Sequence, residues 1–178
     1  MLSTAKRLLL EIIDTLEEEV LEGIPIIGLE PSCVAVFRDE LTNLFPENEI
    51  AKKLKSQTFT LAEFLDKKTT GFNIPKLKKK VLLHGHCHHK AIMKLDAEEK
   101  VLKEMEVELV RPESGCCGMA GGFGYESGQH YEVSVKAGER VLLPAVRDAE
   151  MGTIILADGF SCREQIQQET ERKGMHLA

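Results

Sequence analysis

The amino-acid sequence predicts an α/β fold: parallel-sheet layers with flanking helices, organised as a pseudo-repeat of helix-strand-Cys-helix units. Three observations support this. Short apolar runs bounded by glycine, proline or charge alternate with stretches of helical period. The cysteines fall at or just after the ends of those short runs, where an open parallel sheet gathers its functional residues. Finally, one pattern occurs twice at an offset of 129, matching Gly23 with Gly152, Ile26 with Ile155, Ser32 with Ser161 and Cys33 with Cys162.

The elements follow in order. Leu8, Leu9, Ile12, Ile13, Leu16, Val20 and Leu21 recur at helical spacing, with Ser3 or Thr4 as the expected cap and Gly23 as the stop. Residues 24 to 29 read as a buried strand, 30 to 33 as a turn, and 34 to 44 as a second helix ended by Pro46. The stretch from Asn48 to Lys68 looks helical, with Thr60 and Glu63 in capping-box order, and Gly71 to Pro75 reads as a loop. A strand over 80 to 83 leads into His84-Gly85-His86-Cys87-His88-His89 and then a helix to about Met105. A strand over 107 to 110 enters the glycine-rich segment 114 to 124, and a helix follows from about His130 to Glu150 with Pro144 as its kink. The strand 153 to 157 passes through Asp158-Gly159-Phe160-Ser161-Cys162 into a last helix.

The first copy of the repeat has no counterpart of the segments around Cys87 and Cys116-Cys117, so only the second is complete. Residues 1–46 are expected to be the end of a first copy, 47–79 a helical connection and 80–178 the full second copy. This matches the C-terminal part of a tandem-repeat protein.

With 178 residues, 43% of them hydrophobic, the chain can build one fair-sized core or two small lobes sharing a sheet. A formal net charge of -6, with only Lys76, Lys78, Lys79 and Lys80 clustered, offers no extended positive surface and argues against nucleic acid. No apolar run reaches the roughly 18 residues of a membrane span, and no secretion signal is visible. Five dispersed cysteines, an odd number, do not make a disulfide framework, so reduced thiols in the cytoplasm are expected.

In the second copy, 28 residues separate Cys87 from Cys116 and 44 separate Cys117 from Cys162, unlike any local zinc finger. Ligands so dispersed must be assembled by the fold. Adjacent cysteines can serve different irons of one cluster but are awkward on a single tetrahedral ion. A set of four or five thiolates selects an iron-sulfur cluster, zinc or copper(I) over hard cations. Gly115, Gly118, Gly121 and Gly122 would let the backbone approach such a group and aim N–H donors at sulfur.

Other chemistry remains open at this stage. Zinc could take the same cysteines with His86 or His88, or Cys116-Cys117 could be a thiol redox pair. The histidines at 84, 86, 88 and 89 read as hydrogen-bonding support for thiolates, as ligands or as surface. The glycine-rich loop lacks the G-x-G-x-x-G order of a dinucleotide cradle, and Arg140, Arg147 and Arg163 read as solvated helix-face charges or as groups that bind an anion or balance cluster charge.

The segments Gly-His-Cys-His at 85 to 88, Gly-Cys-Cys-Gly-Met-Ala-Gly at 115 to 121 and Asp-Gly-Phe-Ser-Cys-Arg at 158 to 163 resemble the cysteine-rich CCG domain. That domain occurs in heterodisulfide reductase and in the iron-sulfur subunit of glycolate oxidase. Together with residues 28 to 33, 130 to 134 and 138 to 147, they are most similar to the C-terminal part of FAD-linked D-2-hydroxyacid (D-lactate type) dehydrogenases with fused iron-sulfur modules. The resemblance implies a 4Fe-4S iron-sulfur cluster on Cys87, Cys116, Cys117 and Cys162, with no catalytic residue in this chain. It also implies FAD on another domain, a hydroxy acid such as D-lactate or glycolate, and an electron acceptor chain. The partners are an upstream CCG repeat and an FAD-binding domain or subunit, through which the chain would be peripheral to the inner membrane. Many relatives carry Cys-x-x-Cys in the last motif, but here the first of those positions is Gly159, which leaves four cysteines in the second copy. Cys33 is either an orphan of the first copy or a fifth ligand to the same site.

Overall fold

A computed structural model describes residues 1–178 and contains two parallel sheets with helices packed on them. Helix α1 (Leu2–Glu22) buries Leu9, Ile13 and Val20 against Leu41, Ala51 and Leu54. It starts two residues earlier than a cap at Ser3 would dictate, with Met1 as the cap residue and no side-chain cap. It stops at Gly23, whose left-handed φ of 79° lets the Ile24 N–H reach the Glu19 carbonyl at 2.9 Å.

Strand β1 (Ile26–Gly28) is shorter than predicted and feeds α2 (Pro31–Arg38), with Pro31 at the first helical position, where its missing N–H costs nothing. The single helix expected over 34 to 44 is in fact α2 and α3 (Glu40–Leu44), broken at Asp39. Cys33 therefore lies inside α2 and not in the turn before it.

The stretch expected to be all helix splits into α4 (Glu49–Gln57), β2 (Thr58–Thr60) and α5 (Leu61–Lys68). Strand β2 pairs in parallel with β1, Ile26 opposite Thr58 and Gly28 opposite Thr60. Three residues are too few to display a strand period between two helical patterns. The Thr60–Glu63 capping box is present at the start of α5.

The second sheet has the order β4-β3-β5-β6 and is parallel throughout. Its strands are β3 (Lys80–Leu83), β4 (Glu108–Val110), β5 (Ile154–Leu156) and β6 (Gly174–Met175), the last unforeseen. Between β3 and β4 the chain makes a π-helical turn at His89–Met93, then α6 (Asp96–Glu104) after Lys94 takes φ 71°. The helix expected over 130 to 150 is α7 (Gln129–Gly138) and α8 (Leu142–Asp148). Pro144 sits in the first turn of α8, where it breaks no hydrogen bond, so the interruption falls before it. The last helix is α9 (Phe160–Glu169).

Side chains alternate along β3, so Leu82 joins Met119, Leu142, Val146, Ile155 and Ile166 on one face while Val81 and Leu83 pack with Leu102 and Leu156 on the other. Burial on both faces is what a parallel sheet requires.

The pseudo-repeat is visible in three dimensions: α2 begins at Pro31 and α9 at Phe160, and Cys33 and Cys162 are each the third residue of their helix. The Glu30 carboxylate joins the two. It accepts from the Ser32 N–H and hydroxyl at 3.3 and 2.9 Å, and from the Phe160 N–H at 2.7 Å. Gly159, the cap residue of α9, has no side chain to do this itself. Glu30→Ala is therefore expected to cost about 1–2 kcal/mol in urea unfolding, the loss of one cap serving two helices.

Candidate metal centre

Four thiols meet above the carboxyl ends of β3, β4 and β5. Cys87 follows β3, Cys116 and Cys117 follow β4, and Cys162 enters on the first turn of α9 after β5. Cys117 and Cys162 are 3% and 1% exposed and belong to the core of the second sheet, whereas Cys87 and Cys116 are half-buried. None is in a disulfide.

The thiols influence one another in sequence, Cys87 with Cys116, Cys116 with Cys117 and Cys117 with Cys162, and they cannot all ionise. The Cys116 thiol is pulled far down by hydrogen bonds from Cys117 and then Cys87, and its sulfur also accepts the Gly118 N–H at 3.3 Å. Cys162 is lowered to about 5, first by the Cys117 thiol and then by His84, against the cost of its burial. Cys117 and Cys87 are raised because each donates to an ionised neighbour, Cys116 first in both cases, and because burial disfavours a second anion. In metal-free, reduced protein, ultraviolet thiolate absorbance should thus persist at neutral pH and fall as acid protonates Cys162 near about 5. An unperturbed thiol, with a pKa of about 8.5, would show no thiolate below neutrality.

The histidines divide their labour. His84 is buried, its Nδ1 lies 2.7 Å from the Ser114 hydroxyl, and its Nε2 has no well-formed partner. The ionised sulfur that this imidazole favours is that of Cys162. His86 takes the His88 N–H on Nδ1 at 3.3 Å, sits 4.0 Å from the Cys87 sulfur and meets the His88 ring edge-on at 5.3 Å.

The His86 ring also accounts for the position next to Cys162. A Cβ on Gly159 would lie 2.5 Å from His86 Cδ2 and 3.2 Å from the Cys162 sulfur. The space that a fifth cysteine at 159 would need is filled by imidazole.

The glycine-rich segment is shaped by contacts as well as by the thiols. Gly118 has φ 105°, and a Cβ there would sit 2.0 Å from the Ser134 carbonyl oxygen of α7. Gly121 has φ 67° with open space around it, and it lines a cleft with Gly122. Gly115 is unobstructed, and its carbonyl accepts from Lys90 at 2.8 Å. The same ammonium reaches the Ser114 carbonyl, so the π-helical turn after β3 holds down the loop after β4.

The cleft, about 680 Å³, is lined by His86, Cys87, Cys116, Tyr125 and Phe160 from the second unit and by Glu30 and Ser32 from the first. Cys33 does not line it. It is exposed, with no hydrogen bond to the other cysteines. Glu30, Lys90 and Ser114 were not singled out in the sequence, because each acts across 24 residues or more through contacts with no local signature. Arg163 ties α9 to the β5 exit through the Ala157 carbonyl at 3.0 Å, and Arg147 pairs with Glu139.

Curated relatives of this chain are dehydrogenases. It is 30% identical over 157 residues to a D-2-hydroxyglutarate dehydrogenase of Pseudomonas putida, a match covering 86% of this chain and 14% of that protein. A second D-2-hydroxyglutarate dehydrogenase, from Haemophilus influenzae, is 26% identical over 163 residues, with 15% of its length covered. A component of the anaerobic glycerol-3-phosphate dehydrogenase of Escherichia coli K12 is 28% identical over 173 residues, 92% of this chain and 41% of that component. The chain thus spans less than half the length of each. No family model matches, the cysteine-rich domain included, and no solved structure matches. No helix is long and apolar enough to cross a membrane.

Proposed function

We propose that this chain is the electron-transfer module of a larger FAD-dependent oxidoreductase, with an iron-sulfur cluster of the 4Fe-4S type held by Cys87, Cys116, Cys117 and Cys162. The observation that carries the proposal is the placement of four cysteines at the exits of three adjacent parallel strands, with Cys117 and Cys162 in the core and Cys87 and Cys116 at the cleft. Bound there, such a cluster supplies one-electron transfer. The donor set suits it: soft sulfur from separate elements, a backbone N–H aimed at Cys116, and a buried His84 Nε2 left without a partner beside Cys162.

The chain's own residues then divide between holding and shielding. Met119, Leu142 and Ile166 exclude water behind Cys117 and Cys162, while the half-buried Cys87 and Cys116 face the cleft, where a redox partner has access. Gly118 N–H and His84 stabilise negative sulfur and so favour the reduced state of whatever the thiolates bind.

In this reading the flavin lies on another domain or subunit and oxidises a D-2-hydroxy acid, such as D-lactate, glycolate or D-2-hydroxyglutarate, supported by the names of two relatives. Residues 1–46 are then the end of a first cysteine-rich repeat, 47–79 its connection and 80–178 the second repeat. The test is anaerobic reconstitution with iron and sulfide, followed by metal analysis, visible absorption and EPR. About four irons per chain with thiolate-to-iron absorption are expected. Stoichiometric zinc without iron in anaerobically purified protein would replace the proposal with a structural zinc module.

A further inference from the structure

Apart from the cysteines, a second group of ligand-type side chains converges from separate elements. His89 opens the π-helical turn after β3, Glu98 lies on α6, and Asp158 follows β5. One ligand atom from each lies within 4.8 Å of the others. His89 and Glu98 are both 2% exposed. We propose that His89, Glu98 and Asp158 form a second metal site, for a divalent first-row cation bound through one imidazole nitrogen and two carboxylates.

The first argument is charge. Glu98 and Asp158 make no ion pair with any lysine or arginine, and each has only a histidine nearby. The histidine beside Asp158 does not neutralise it. His176 directs Nε2 at the Leu29 carbonyl at 2.6 Å, which requires a proton there, while its Nδ1 accepts the Ala178 N–H at 2.8 Å. That is the neutral tautomer. Two carboxylates, Glu98 buried and Asp158 partly so, thus share one imidazole, an arrangement that is unfavourable without further positive charge.

The second argument is the state of the lone pairs. Thr60 accepts the Glu63 N–H, so its hydroxyl proton goes to Glu98 Oε1 at 2.9 Å, which marks that oxygen as an acceptor. Glu98 Oε2 is buried with no partner. His89 Nε2 lies 2.9 Å from Glu98 Oε1 but outside hydrogen-bonding alignment, and it too has no partner. Paired buried groups are the rule, and two unpaired atoms on facing ligand-type residues describe a coordination shell better than a hydrogen-bond network. Asp158 Oδ1 is held in place by the Leu177 N–H at 2.9 Å.

The donor set distinguishes this site from the thiol cluster. Nitrogen and oxygen ligands suit manganese, iron(II) or zinc, and manganese has little affinity for thiolates. Thr60 ends β2 in the first sheet, whereas His89 and Asp158 follow strands of the second, so a bound cation would join the two sheets.

The experiment titrates the full chain with Mn²⁺ under anaerobic conditions and follows the free-ion EPR signal. One Mn²⁺ per chain is expected, with nitrogen coupling from a single histidine in pulsed EPR, and unchanged stoichiometry in a Cys116→Ser variant. Asp158→Asn, which keeps the acceptor for Leu177, and Glu98→Gln should each weaken binding by more than about tenfold. Circular dichroism checks that both variants fold. If Glu98→Gln does not fold, Asp158→Asn and the nitrogen coupling decide the matter. Absence of stoichiometric binding of Mn²⁺ and Zn²⁺, binding without histidine coupling, or binding indifferent to Asp158→Asn would each overturn the proposal.

Discussion

Cys117→Ser and Cys162→Ser are each expected to abolish stable iron incorporation, lowering iron per chain by more than about tenfold after reconstitution. Both cysteines are almost fully buried in the core of the second sheet, at the exits of separate strands, so no other thiol is placed to substitute for either. A serine oxygen is harder and its bond to metal shorter, and buried without a good acceptor it also costs about 1–3 kcal/mol of stability. Circular dichroism on the same samples separates lost ligation from lost fold. Cys33→Ser is the control. Its thiol is exposed and does not line the cleft, so iron content should be unchanged, and a loss there would instead make Cys33 a fifth ligand.

The second large effect is expected at Gly118. An alanine Cβ at φ 105° would fall 2.0 Å from the Ser134 carbonyl oxygen, and that atom belongs to the backbone of α7 and cannot rotate aside. Gly118→Ala should cost about 3 kcal/mol or more, from backbone strain and overpacking together, and should disturb the N–H that donates to Cys116. Two neighbours isolate the causes. Gly121→Ala, with φ 67° but free space, should cost about 1 kcal/mol, and Gly115→Ala, with neither constraint, close to nothing. Chemical denaturation of the three variants reads the series, and equal costs at 118 and 121 would show that the contact with α7 is soft.

The α/β class, the parallel sheets and the approximate places of β1, β3, β4 and β5 could be read from period and punctuation, because apolar runs such as Val81-Leu82-Leu83 are buried on both faces. What could not be read was short or non-local. β2 and β6 have three and two residues, too few for a period, and exist because a neighbouring strand offers them hydrogen bonds. Helix breaks at Asp39 and Lys94 carry no proline or glycine signal, whereas the break at Glu139 follows Gly138, a glycine embedded in a helical period. At the site, Cys-Cys flanked by glycine is a local pattern, and the strand ends place Cys87 and Cys162 on the same side of the sheet. The shared cap at Glu30, the lysine clasp on residues 114 and 115, and the His89-Glu98-Asp158 group join residues far apart in sequence, so no local pattern encodes them.

The overlap between the His86 ring and a side chain at 159 has a consequence for how such sequences can change over time. The two positions claim one volume, so an enlarged residue at 159 is tolerable only after the imidazole at 86 has shrunk or swung away, and an imidazole at 86 only while 159 stays bare. Neither replacement is neutral alone. Lineages that differ at one of these sites should differ at the other, and the number of thiols offered to the metal is inherited as a property of the pair.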